Sequence, residues 1–138
     1  MAVAVFGAIS FLVARWLATD ATERAKVERL LEAQLRGDVD AMAREMTDCF
    51  ARCEDRLTRL AERLKQPGAD LRIARYDSET ARALGDDTGP TRVVWFAGEG
   101  LPTVQCVEVR RRGTPLTGPS VSLLRLGPPI EREAPCRN

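Results

Sequence analysis

The chain's most reactive side chains are its four cysteines, Cys49, Cys53, Cys106 and Cys136. An even number of thiols is consistent with two disulfides in an oxidising compartment, with three possible connectivities. Cys136 lies near the C-terminus beyond Gly127-Pro128-Pro129, so a bond to Cys106 would tie an otherwise fraying tail to the body of the fold. That closed loop contributes about 3–4 kcal/mol in the chain-entropy picture. Cys49 and Cys53 stand at i, i+4 on what reads as a helix. Intact helical geometry holds such Cβ atoms about 6 Å apart, beyond the roughly 4.5 Å a disulfide tolerates, so either the helix breaks near Cys49 or these two pair elsewhere. A four-thiolate zinc site is the rival reading, but it wants two C-x2-4-C knuckles and at most one is present. In a reducing compartment the four would be small apolar core residues.

The sequence contains no histidine, which removes the commonest general base, activator of serine or cysteine nucleophiles, and metal ligand. No P-loop, GxGxxG, GxSxG or HExxH string occurs. Asp87-Thr88-Gly89 spells the D-T-G of aspartic proteases, where two carboxylates share a proton. It follows Gly85-Asp86 and precedes Pro90, and those residue types predict a turn. Neither a catalytic residue nor a cofactor or metal site is assigned, and the balance is against an enzyme.

The elements that must position these residues begin with an apolar N-terminus. Ala2 to Ala14 carries no charge; Arg15 interrupts, and Trp16, Leu17 and Ala18 follow. Thirteen uncharged residues suit a signal-peptide core better than a full span of about 20. Counted through Ala18, the segment reads as a short anchor with Arg15 snorkelling to the interface. Residues 1–18 are therefore a signal peptide or membrane anchor. No lysine or arginine precedes the run and Arg15 follows it, an asymmetry that by the positive-inside rule opposes export of the C-terminal part. A buried core helix is the remaining reading.

The remaining residues, about 118, make one domain with one core. Residues 20–66 are helical. Val27, Leu30, Leu31 and Leu35 form one stripe, and Val39, Met42, Met46, Cys49, Cys53, Leu57, Leu60 and Leu64 continue at steps of three and four. Gly37 suits the end of one helix, Asp38 or Asp40 the cap of the next, and Pro67-Gly68 closes the second, predicting helices over 20–36 and 39–66. A single coiled-coil stalk is the alternative, though successive steps of four at Cys49, Cys53 and Leu57 break a heptad. Residues 71–126 alternate as strands: LRIARY, TRVVWFA, TVQCVEVRRR and SVSLLRL, with ETARAL (79–84) either a further strand or a short helix. Helices followed by a four- or five-stranded antiparallel meander define an α+β fold for residues 20–127, with 128–138 as a tail.

GDVDAM at Gly37 to Met42 and the strand containing Val94-Trp95, behind a membrane signal and before a meander, resemble the small extracytoplasmic members, of actinobacterial type, of the nuclear-transport-factor-two-like (cystatin-type α+β) superfamily. That resemblance implies a cone-shaped pocket between helices and sheet, a ligand-binding or interaction role, and in some members isomerase or dehydratase activity. Its enzymes place an Asp, Tyr or His in the cone; here the single tyrosine is Tyr76. Trp95 and Phe96 point to opposite faces of their strand, so one belongs to the core and the other can line a pocket.

Lysine plus arginine (21) nearly cancels aspartate plus glutamate (20), leaving no field for nucleic acid. Arg110-Arg111-Arg112 reads as a solvated strand end that discourages edge pairing, or as a contact for anionic lipid. The expectation is a membrane-tethered or secreted, extracytoplasmic binding module for a protein partner or small apolar ligand. An isomerase-like enzyme is the alternative.

Overall fold

The computed structural model describes residues 2–82, 85–114 and 118–137. Three helices, α1 (Ala2–Arg36), α2 (Val39–Glu45) and α3 (Ala51–Leu64), precede four strands, β1 (Leu71–Ser78), β2 (Asp87–Ala97), β3 (Thr103–Arg112) and β4 (Ser120–Leu126). The strands form one antiparallel sheet in the order β1-β2-β3-β4. The fold is α+β, with the helices on one face of a meander.

α1 is one unbroken helix of 35 residues. Its first half is exposed on every side, Val3, Phe6, Ile9, Phe11 and Leu12 alike, whereas Val27, Leu30, Leu31, Ala33 and Leu35 in its second half are buried. It ends in a Schellman turn: Gly37 takes φ +73°, its N–H bonds Gln34 O at 3.0 Å, and Asp38 N–H bonds Ala33 O at 2.9 Å. Asp38 then caps α2 by accepting from Ala41 N at 2.9 Å.

The helix expected over 39–66 is instead two. Met46 turns extended and bridges Leu123 of β4, Thr47 N–H bonds Leu123 O at 2.8 Å, and Asp48 takes φ +55°, a left-handed conformation that aspartate tolerates better than most residues. The break gives the β4 edge a backbone partner. It also frees Cys49 from helical geometry, so that it bonds Cys53 with Cα atoms 5.2 Å apart. The apolar positions of α2 and α3, Met42, Leu57, Leu60 and Ala61, pack into the common core, so this face serves the sheet and not a stalk.

One further expectation is corrected, and one open alternative is decided toward the helical form. Asp87-Thr88-Gly89 is the start of β2, paired with Arg111, Arg110 and Val109, and not a turn. The turn composition misled because Gly89 serves packing: a Cβ there would sit 3.3 Å from Glu79 Cβ and 3.4 Å from Thr80 Cγ2. Pro90 is admitted because pairing with β1 ends at Ser78↔Thr91, which leaves it a neighbour on the β3 side alone. ETARAL opens as a 3-10 turn over Glu79–Arg82; Ala83 and Leu84 lie outside the described residues.

Alternation places Val93, Trp95 and Ala97 of β2, Val107 and Val109 of β3, and Val121, Leu123 and Leu126 of β4 against the helices. One-residue bulges, between Ile73 and Arg75 and opposite Glu108/Val109, keep Tyr76 and Leu126 on the inward side. The tail runs on beside β3, with Ile130 N–H on Val104 O at 2.8 Å, and is bonded to it through Cys106–Cys136.

Candidate functional site

Glu23 lies on the same stripe of α1 as Val27 and Leu30, and its exposure is 0%. A carboxylate there is tolerable only if its oxygens are filled. Tyr76 Oη donates to Oε1 at 2.7 Å, Thr91 Oγ1 to Oε1 at 2.9 Å, Thr80 Oγ1 to Oε2 at 3.3 Å, and Arg111 Nε to Oε2 at 2.6 Å. The guanidinium also reaches Asp20 Oδ1 at 3.0 Å, one helical step earlier. Five elements, α1, β1, the 3-10 turn, β2 and β3, thus converge on one carboxylate. Burial, and then the neighbouring Glu23 charge, push the Tyr76 phenol far above its ordinary range, so it stays protonated and acts as a donor. Because each Glu23 oxygen is already bonded and none meets solvent, the cluster is built as a lock between helix and sheet.

Glu23 was not singled out from the sequence and Arg111 was read there as solvated, although both carried a signal. Each is a charge at a position whose periodicity is inward: Glu23 precedes Val27 by four, and Arg111 continues the alternation of Val107 and Val109. Arg110-Arg111-Arg112 is accordingly not a uniform basic strand end. Arg111 is 4% exposed while Arg112 is solvated.

A second buried network uses amides. Gln34 and Gln105 exchange bonds at 3.1 and 3.2 Å, Trp95 Nε1 donates to Gln105 Oε1 at 2.9 Å, and Gln105 Nε2 reaches Gly127 O at 3.1 Å. Trp95 is 1% exposed and, with Leu30, Leu31, Met42 and Leu57, fills the space between helices and sheet where the resemblance implied a pocket.

Phe96 points to the other face. With Ala74, Val94 and Pro102 it floors a shallow cleft of about 360 Å³ edged by Arg75, Arg92 and Arg132, and Arg72 stacks over its ring at 5.1 Å. Tyr76 borders another depression of about 640 Å³, which includes Asp77, Arg92 and Cys136. Arg92 Nη2 and Nε hold the tail through Arg132 O and Ala134 O. Both pairs of cysteines are joined as disulfides, and among the described residues no group of three or more potential ligands could hold a metal.

At the lower end of the domain, Trp16 Nε1 donates to Ala81 O at 2.7 Å, and a Cβ at Gly118 would lie 3.4 Å from Arg15 Nη1. Comparison with known family models, curated proteins and solved structures finds no match.

Proposed function

We propose that this chain is a membrane-anchored, non-catalytic binding module displayed outside the cytosol. The observation that carries the reading is the continuity of α1. The residues exposed on all sides and the stripe that forms the core belong to one helix. Its apolar N-terminal part is long enough to enter a membrane and is almost wholly unburied. A helix apolar all round needs an apolar solvent, and one partner protein would cover a single side. Trp16 and Thr19 are already engaged with the folded domain, which favours a retained anchor over a cleaved leader. The two disulfides support an oxidising compartment and therefore the extracytoplasmic side.

Helices followed by an antiparallel meander support a nuclear-transport-factor-two-like reading. Because Trp95 closes the space between the layers, the binding surface is on the opposite face, at the arginine-edged cleft over Phe96. Its apolar floor and cationic rim suit a protein segment or small apolar ligand carrying negative charge.

The test is alkaline extraction of membranes from the native host, followed by non-reducing mass spectrometry of the intact chain. The reading expects the chain to stay in the membrane pellet at a mass four hydrogens below that of the fully reduced sequence. Release by alkali would remove the anchor, and four free thiols would remove the extracytoplasmic assignment.

A further inference from the structure

The way α1 enters the domain has a consequence for how the domain meets the bilayer. No glycine or proline interrupts α1 between Gly7 and Gly37, so no flexible linker separates the apolar segment from the core. The domain grips the helix as soon as its uncharged run ends: Arg15 beside Gly118, Trp16 on Ala81 O, Thr19 at 7% exposure and Asp20 on Arg111. From Ala14 to Ala18 a helix rises about 6 Å. The polar layer on each side of a bilayer is about 5–7 Å thick.

Building on the anchoring reading above, we infer that the lower end of the domain rests directly in the lipid headgroup layer. The contact surface is the 3-10 turn Glu79–Arg82, the end of β3 at Arg112 and Gly113, and the start of β4 at Ser120. Ala81 O, bonded to Trp16, sits at the depth of the aromatic belt. Continuity of the helix enforces this seating: α1 is unbroken, and only about 3 Å of rise separates Ala14 from Trp16, which the domain already holds.

Charge does not drive the contact. Asp20, Glu79, Asp86 and Asp87 belong to the segments at this end together with Arg15, Arg82 and Arg112, and Arg111 is committed to Glu23 and Asp20. The expected partner is therefore the headgroup layer of a zwitterionic bilayer, with no requirement for anionic lipid.

The experiment uses the full chain in phosphatidylcholine vesicles, with benzoylphenylalanine placed at Glu79, at Ser120 or, at the far end, at Leu101, which is 89% exposed. After flotation and illumination, lipid adducts are counted by mass spectrometry. The inference expects adducts at 79 and 120, none at 101, and the same yields when phosphatidylglycerol is added. A flexible glycine-serine insert after Ala14 should abolish the adducts at 79 and 120 while the protein still floats. Floating protein with no adducts at 79 and 120, or equal adducts at 101, or adducts only with anionic lipid, would overturn the seating and leave the anchor standing. Protein that does not float overturns both.

Discussion

Arg111 and Glu23, 88 positions apart in the chain, meet at 2.6 Å with side-chain exposures of 4% and 0%. A buried pair of this kind is costly to form and more costly to break, because the surviving charge keeps its desolvation penalty without its partner. Arg111→Met should therefore destabilise the domain by about 3–5 kcal/mol. Glu23→Gln added to Arg111→Met should recover much of that loss, since a neutral amide oxygen still accepts from Tyr76 and Thr91. Urea unfolding of the two variants, followed by tryptophan fluorescence, measures the difference. A double variant no more stable than Arg111→Met would show that the charge is not what the arginine balances.

Tyr76 makes a pH prediction that can be read on one chromophore, because it is the single tyrosine in the chain. Its phenol is held protonated in the folded state by burial and by the Glu23 carboxylate, whereas an unfolded chain ionises it near pH 10. A raised acid pKa stabilises the fold fully below the unfolded value. That contribution is lost as pH rises above about 10, where the unfolded state alone releases the proton. Absorbance at the phenolate band should stay low above pH 10 while the protein is folded and should rise together with loss of the tryptophan signal. Tyr76→Phe should remove this alkaline dependence. At neutral pH it should cost about 1.5–3 kcal/mol, the worth of a hydrogen bond to a charged acceptor. A phenolate that appears near pH 10 with the fold intact would contradict the buried Tyr76–Glu23 bond.

Periodicity alone located most of the scaffold. Val27, Leu30, Leu31 and Leu35 declared the buried face of α1, and Gly37 and Asp38 its end and the next cap, because these depend on neighbours within a turn or two. What periodicity could not show depended on distant partners. The break at Met46–Phe50 exists because Leu123, far along the chain, offers a backbone carbonyl to Thr47. Asp87-Thr88-Gly89 became strand because β3 was there to pair with it and because Gly89 had to let Glu79 and Thr80 approach. The Glu23 cluster was present in the sequence only as charges at inward positions, and its donors come from three separate strands and a 3-10 turn. Phe96 and Trp95 were separable by alternation, but which faced the helices was decided by the remaining strands.

Gln105 tests whether the second buried network fixes the core or merely occupies it. Its side chain satisfies the Trp95 indole, the Gln34 amide and the Gly127 carbonyl at once. Gln105→Leu would keep similar volume while leaving the buried Trp95 indole and Gln34 amide, and the half-buried Gly127 carbonyl, without this partner, each buried orphan costing about 1–3 kcal/mol. The expected loss is about 3 kcal/mol or more. Adding Gln34→Leu should restore part of it by removing one orphan. Urea unfolding measures both, and a Gln105→Leu variant as stable as the parent would mean that water reaches these groups.

The two disulfides should differ in what they hold. Cys106–Cys136 spans 30 positions and fastens the tail to β3, whereas Cys49–Cys53 spans four and fixes the start of α3. Loop-closure entropy assigns the first about 3–4 kcal/mol and the second about 2 kcal/mol. The local consequences separate them further. With Cys136→Ser the described part of the tail keeps the Ile130 bridge and the Arg92 contacts, so backbone amides over 131–137 should exchange rapidly while α3 stays protected. With Cys53→Ser the tail should stay protected, and exchange should rise at the first turn of α3, whose cap Phe50 contributes no side-chain bond. Hydrogen exchange read by mass spectrometry distinguishes the two patterns. Equal protection of the tail in both variants would show that the Ile130 and Arg92 contacts hold it without the sulfur bridge.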